Sequence, residues 1–369
     1  MADQYTEVVS RNWWQNFINS FGGVALGIIL FLLSFVVLWI NEGRVDLSKV
    51  VLKQSIPITA ATPVAEVEGK FVSLTGLMET ESAIGDPGYL KAGPYIRLDR
   101  IVEMYGWEEQ KKSETKDKLG GGSETITTYN YVKKWLTSPK SSVEFRYPEG
   151  HYNPPMRIKS ATFYAPQAKI GSFRFDPSQI ELPSASPLAL SSENVLEGQA
   201  RLEEGYLFLG SGALASPQVG DLRISYRAVP SGIKVTAFGK VETGELVPYY
   251  YKGKERIFRV LAGTRDEAVA TLAGEYKTML WVMRILGFVM MWFGLFLFFG
   301  PLTEVLDVLP FLGKASRFMV AVVTFPVALI LSILTILISM IFHNIWLLVI
   351  AVALVFGGLF YFKKIKKGG

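Results

Sequence analysis

Cysteine is absent from all 369 residues. That excludes disulfides, zinc–thiolate centres, iron–sulfur ligation and cysteine nucleophiles together. Histidine occurs only at His151 and His343, so a multi-histidine metal site is excluded as well. No Asn-x-Ser/Thr acceptor occurs, and an exported domain without cysteines or glycosylation sites points to a bacterial source. Charge is sparse: 19% of residues are charged and the formal net charge is +5. Much of that excess sits in the C-terminal tail, which leaves no basic surface for nucleic acid. The chain also lacks Gly-x4-Gly-Lys-Ser/Thr, G-x-S-x-G and H-E-x-x-H, so neither a cofactor nor an enzymatic activity is expected.

What is plentiful is apolar. Hydrophobic residues make up 50% of the chain and mean hydropathy is +0.27, values that soluble domains rarely reach. Residues 21–40 form an unbroken apolar run ending in FVVLWI, and NEGR follows at once. As helix, these 20 residues extend about 30 Å, the thickness of a hydrocarbon core. A cleaved secretory signal would have a shorter core and small residues before the cut. Leu38, Trp39 and Ile40 stand there instead, so the run reads as an uncleaved anchor. Trp13 and Trp14 suit one interface and Trp39 the other. Residues 279–299 with Arg284, 319–342 with Pro326, and 345–362 supply three further spans. Only His343 and Asn344 separate the last two, which predicts a tight helical hairpin.

Four spans put both termini on one side. Lys363, Lys364, Lys366 and Lys367 beside the last span, with Lys314 and Arg317 flanking the third, favour cytoplasmic termini. Arg44, Lys49 and Lys53 oppose this, but long domains translocate largely regardless of charge. The expected layout is a cytoplasmic N-terminus (1–20), a first span (21–40) and an extracytoplasmic β-rich domain (41–263). A connecting helix running into the second span (264–300) and an interfacial amphipathic segment (301–318) come next. Spans over 319–342 and 345–362 and a basic tail (363–369) complete it. The predicted fold class is therefore an α+β membrane protein: four transmembrane helices, one N-terminal and three C-terminal, with the large domain between the first and second.

Inside that domain, KFVSLTGL, YIRLDRIVEMYGW and TYNYVKKW have extended, aromatic and β-branched character. The charged, glycine-rich KKSETKDKLGGGSE has nothing to bury, which predicts a long hairpin with a mobile tip. A second β group covers 205–209, 221–227 and 233–251, where Gly244-Glu245 punctuates a hairpin. A subdomain boundary is expected near 185–200, unless the two groups complete one sheet system. Thr264-Arg-Asp-Glu267 reads as a capping box. It opens a helix with Ala268, Val269, Leu272 and Tyr276 at helical spacing and no terminator before the second span.

Six stretches in order, FLLSFVVLWINEGR, RIVEMYGWEE, TYNYVKKW, HYNPP, VGDLRISY and ELVPY, are similar to landmarks of the LUMA family, also called transmembrane protein 43. The likeness covers nearly the whole chain. It holds residue by residue at Asn41, Glu42, Gly43 and Arg44, and at Val102, Glu103, Met104, Tyr105 and Trp107. It implies a multi-pass protein with cytosolic ends and a lumenal or periplasmic domain. It also implies self-association and a role in organising membrane protein complexes and, in animals, residence in the endoplasmic reticulum and inner nuclear envelope; a bacterial chain is expected in the inner membrane with a periplasmic domain.

Single residues carry two readings each. Glu42 and Arg44 are a charge pair fixing the helix–domain junction, or an ordinary helix exit ended by a left-handed Gly43. Arg284 lines a polar path, or snorkels to the nearby outer interface; Trp13, Trp14, Trp39 and the tail lysines are expected to contact the interfaces on their own sides of the bilayer. Gly23 and Gly27, with Ser34 on nearly the same face, mark close helix packing within or between subunits. His151 has no nucleophile partner and reads as structural, while Glu103, Glu108 and Glu109 are an acid–base set or plain salt bridges. The leading expectation is a non-enzymatic, homo-oligomeric scaffold in contact with the bilayer and other membrane proteins, without nucleic acid. The alternative is an oligomeric ion channel or transporter component, resting on Arg284, Pro326, Thr324, Ser332, Thr335 and Ser339.

Overall fold

The chain opens with a strand, β1 (Gln4–Arg11), before the first long helix, α1 (Trp13–Glu42). Thr6, Val8 and Val9 supply the β-branched character, so the segment read as a plain N-terminal tail carries regular structure. α1 begins at Trp13 rather than Phe21 because a capping box starts it. Gln15 N–H donates to Asn12 Oδ1 (2.8 Å) and Asn12 N–H to Gln15 Oε1 (3.1 Å). The computed structural model describes residues 3–118, 121–196, 198, 200–306, 313–344, 348–350 and 352–354. It is an α+β protein that divides into two compact units.

The β-rich unit comprises Met1–Thr6, Asp46–Lys112 and Thr127–Ala273. Its principal strands are β2 (Phe71–Glu79), β3 (Tyr95–Asp117), β4 (Ser123–Leu136), β5 (Leu222–Pro230) and β6 (Ile233–Glu242). One sheet runs β1, β4, β3, β5, then Tyr206–Leu209 and Arg201–Glu203. β3 and β5 pair antiparallel with Met104 opposite Leu222 and Val102 opposite Ile224. These residues build one buried cluster with Leu90, Leu98 and Leu207. In the second sheet β6 lies antiparallel to β2, Ala237 opposite Leu74. Because Glu245–Val247, Phe173–Phe175 and Ala168–Ile170 connect the far sides of β6 and β2, those five strands close into a ring. Closure removes two sheet edges, and Val72, Leu74, Met78, Phe173, Phe175, Val235 and Val241 fill the interior. The turn joining β6 to Glu245–Val247 has positive φ at Thr243 (50°) and Gly244 (78°), as a type I′ hairpin requires. The two sheets are nested rather than consecutive: each takes strands from both sides of residues 185–200.

The helical unit comprises Glu7–Val45, Ser113–Ile126 and Gly274–Gly369. Its helices after α1 are α2 (Arg265–Phe298), whose N-terminal turns belong to the β-rich unit, α3 (Gly300–Leu306) and α4 (Gly313–His343). At the start of α2, Glu267 accepts from Thr264 N–H (2.7 Å) and from the Thr264 hydroxyl (2.9 Å). The threonine hydroxyl therefore donates instead of accepting, so the expected box forms in half. α1, α2 and α4 are each long and apolar enough to cross a membrane. The expected fourth span is described only at 348–350 and 352–354, which are helical. Residues 307–312 of the expected interfacial segment, and Lys363, Lys364, Lys366 and Lys367, lie outside the described residues.

The described residues beside the tip of the β3–β4 hairpin, in a segment expected to be mobile, dock on the first turns of α1. Asn16 Nδ2 donates to the Gly121 carbonyl (3.1 Å) and Ser123 Oγ to Asn16 Oδ1 (3.1 Å). Gly121 has φ +78°, and a Cβ there would sit 2.5 Å from the Trp13 ring. Only glycine suits both the backbone and the contact. Arg317 at the start of α4 reaches Asp117 at 3.3 Å.

Candidate functional site

The C-terminal ends of α1 and α4 meet the middle of α2 where α1 finishes. Glu42 receives a bidentate bond from Arg284 of α2: Nε to Oε1 at 2.7 Å and Nη2 to Oε2 at 2.8 Å. Both side chains are largely buried, Glu42 at 4% exposure and Arg284 at 16%. The Arg284 guanidinium also lies over the Trp281 ring at 5.0 Å and approaches Met340 Sδ of α4. Next to the pair, Asn41 Nδ2 donates to the Leu280 carbonyl (3.0 Å), and Ser339 Oγ of α4 donates to the Trp39 carbonyl (3.0 Å). His343 packs edge-on against Trp39 at 5.2 Å. A planar fork matched to a carboxylate in a dry site is the strong form of an ion pair. It locks α1 to α2 in one register.

Two sequence readings change here. Glu42 pairs with Arg284 and not with Arg44, whose side chain is exposed. Gly43 has φ −86°, so it is not a left-handed terminator. Its need for glycine is spatial: a Cβ would lie 2.5 Å from His343 Nε2. Sequence reasoning had singled out Glu42 and Arg284 separately. It missed Asn41, Ser339 and His343 as their neighbours, because nothing local in the chain signals which stretches of the helices converge.

The small residues are used inside the chain. A Cβ on Gly27 would meet Gly294 O at 2.7 Å and Phe298 N at 2.9 Å, so α1 and α2 touch backbone to backbone. Gly23 faces Leu297 at 3.9 Å, and Gly287 admits Leu38 on the same seam. Ser34 is buried, its hydroxyl donating to the Phe31 carbonyl (2.6 Å). Gly287 and Gly294 of the second span, seven apart in the sequence, were the readable signal for this seam. Trp13 Nε1 donates to the Glu304 carbonyl (2.9 Å), Trp14 is exposed, and Trp39 lies against Phe342.

The polar residues of the third span are engaged as well. Thr324 Oγ1 donates to Val320 O (2.7 Å), Thr335 Oγ1 to Leu331 O (2.7 Å), and Ser332 Oγ lies 3.3 Å from Met291 Sδ. In the β-rich unit the three carboxylates meet three different partners: Glu103 pairs with Arg223 (2.6 Å), Glu108 with Lys134 (2.7 Å) and Glu109 with the Tyr131 hydroxyl (2.5 Å). The hydrogen bonds from Lys134 and Gln110 hold Glu108 below the usual carboxylate range. A cleft of about 840 Å³ opens beside Tyr152, Pro154, Pro155 and Arg157. Its one acid, Asp221, already accepts from the backbone N–H groups of Ser211, Gly212 and Gln218. A second cleft of about 580 Å³ shares Tyr152 and the two prolines. Among the described residues no acidic or histidine cluster could hold a metal ion.

A unit of long apolar helices joined by glycine contacts and a buried ion pair, with a separate β-rich unit of some two hundred residues, defines a multi-pass integral membrane protein. The chain belongs to the transmembrane protein 43 family, whose model matches residues 104–345. It is 29% identical over 356 residues to transmembrane protein 43 of Rattus norvegicus, covering 88% of this chain and 85% of that one. The Homo sapiens protein is 29% identical, covering 89% and 87%. The Drosophila melanogaster homolog is 26% identical over 279 residues, covering 73% and 74%. No solved structure matches the chain.

Proposed function

We propose that this chain is a non-enzymatic membrane scaffold that self-associates through its spans and organises membrane protein complexes through its β-rich unit. The supporting observation is the bidentate Glu42–Arg284 bridge. It neutralises the charge within the second span and leaves apolar side chains such as Leu32, Trp281, Ile285 and Val323 as the exposed surface of the helices. Such a surface suits lipid and neighbouring spans, and offers no reacting group. The clefts beside Tyr152 give the β-rich unit concave, mixed polar and apolar surface of a size that partners use. On this reading residues 345–362 form a fourth span, the β-rich unit is lumenal or periplasmic, and the lysine tail holds anionic lipid, about 1 kcal/mol per residue.

A channel or transporter would need Arg284 and the third-span hydroxyls to face an aqueous path. Each of them is engaged within the helical unit, which favours the scaffold. Size measurement in mild detergent tests the proposal: assemblies larger than one chain are expected, and a strict monomer under all conditions overturns it.

A further inference from the structure

The two clefts of the β-rich unit, about 840 Å³ and about 580 Å³, share a wall made by Tyr152, Pro154 and Pro155. That wall is fixed by its buried neighbours. Asn153 Nδ2 donates to the carbonyls of Trp107 (2.8 Å) and Lys140 (3.1 Å), and its Oδ1 accepts from Trp107 N–H (2.7 Å). Asn153 N–H donates to Ser142 Oγ (2.6 Å), and the His151 ring, 1% exposed, stacks on Tyr131 at 4.0 Å. A Cβ on Gly220 would lie 2.9 Å from Pro154 Cγ, so the proline packs against that turn. Proline also fixes φ. The wall is therefore set before any ligand arrives, which lowers the ordering cost of binding. Between two buried residues Tyr152 alone turns outward, 67% exposed, and its hydroxyl has no hydrogen-bond partner among the described residues.

The clefts carry uncompensated positive charge. Arg157 lines the larger, and Lys140 and Lys159 line the smaller. All three are exposed, and among the described residues none of their side chains makes an ion pair or a hydrogen bond. On the neighbouring strands the cations are matched: Arg97 with Asp99 (2.9 Å), Arg223 with Glu103 (2.6 Å) and Lys134 with Glu108 (2.7 Å). Lys140 adds to the field that keeps Glu108 charged, but the near partner of Glu108 is Lys134. No acid lines the smaller cleft. Asp221 of the larger is 4% exposed and is occupied by three backbone N–H groups. The hydroxyls of Thr137, Ser138 and Ser141, which share the smaller cleft with the lysines, have no hydrogen-bond partner among the described residues. Unpaired cations and free hydroxyl donors fit carboxylates, and an exposed tyrosine between them fits an apolar or aromatic side chain.

We propose that this face docks an extended acidic segment of a partner protein, with Tyr152 covering an apolar or aromatic side chain and Lys140, Arg157 and Lys159 meeting the flanking carboxylates. The inference rests on the scaffold reading and names the kind of partner that the β-rich unit engages. A protein segment fits the shape better than a membrane does. A bilayer surface is broad and does not enter two concavities, whereas an extended chain sends alternate side chains to opposite sides and fills both. A small free anion would meet the cations and leave Tyr152 uncovered. Each exposed charge pair is weak alone, so affinity comes from several charges in one place and falls as salt is raised.

Fluorescence anisotropy on the full chain in mild detergent tests the proposal. The probes are a labelled heptapeptide of alternating glutamate and tyrosine and its counterpart with lysine for glutamate. The acidic peptide should bind, and the basic one should bind more weakly by about tenfold or more. Lys140→Glu combined with Lys159→Glu should weaken the acidic peptide by about tenfold or more, and Tyr152→Ala by roughly threefold to tenfold. Lys254→Glu makes the same charge change at an exposed site outside both clefts and should leave binding within about twofold. Unchanged amide protection in the β3–β5 ladder of each variant shows that lost binding is not lost folding. Equal binding of the two peptides, or a double variant that binds like the wild type, overturns the docking site. So does competition by phosphatidylserine-doped micelles equal to that by unlabelled peptide, which would assign the lysines to lipid headgroups. Sizing the same samples separates the two readings: assemblies that ignore the acidic peptide overturn the docking site alone, and a monomer that binds it overturns self-association alone.

Discussion

Arg284 and Glu42 show how burial changes the meaning of a charge. An exposed pair is worth little, but removing one partner of a buried pair strands the other. Arg284→Leu is expected to destabilise the chain in detergent by about 3 kcal/mol, and Glu42→Gln combined with Arg284→Met to recover most of it. Unfolding by denaturant in mixed micelles reads both. Tyr131 supplies a pH prediction. Its hydroxyl, pushed up to about 12 by burial and Glu109, favours the folded state below about pH 10, where the free phenol is also neutral. That advantage is lost as pH rises through about 12, so the wild type should lose stability steeply over that window. Tyr131→Phe should flatten the loss, measured by urea midpoints against pH. At this scale the sequence offered the residue types but not their partners: Glu42 lies within two residues of Arg44 and bonds instead to a residue 242 positions away.

The helices depend on close approach and on caps. Gly27→Leu would drive a side chain into the Gly294 carbonyl and Phe298 amide of α2. A loss of about 1–3 kcal/mol is expected from overpacking, read as a lower thermal midpoint in detergent, while Gly22→Leu, with open space around it, serves as the silent control. Asn12→Ala removes the side chain that caps α1 and should cost about 1 kcal/mol, with a drop in helix content confined to the first turns by amide exchange. Hydropathy revealed the interiors of α1, α2 and α4 because a bilayer requires long unbroken apolar runs. The ends were less legible. α1 reaches back to Trp13 and carries residues beside a hairpin tip on its first turns through Asn16 and Gly121, and that docking depends on residues more than a hundred positions distant.

Across the whole molecule, the nesting of the two sheets makes the β-rich unit indivisible. β2 and β6 close one ring although they flank β3 and β5 in the sequence, and β3 and β5 form the other core. Fragments 41–190 and 191–263 should therefore each fail to fold alone, giving broad, poorly dispersed spectra, whereas co-expression of the two should restore a soluble complex. Two well-folded halves would overturn the nested reading. By itself the sequence determined what local pattern can determine: the apolar spans, the strand-rich middle, the turn at Gly244 and the family, each written in consecutive residues. The tertiary structure alone decided that Glu42 meets Arg284, that Gly43 is needed for space and not for φ, and that His151 stacks on Tyr131. Those outcomes come from which distant surfaces pack together, and packing is set by complementarity across the fold rather than by neighbours along the chain.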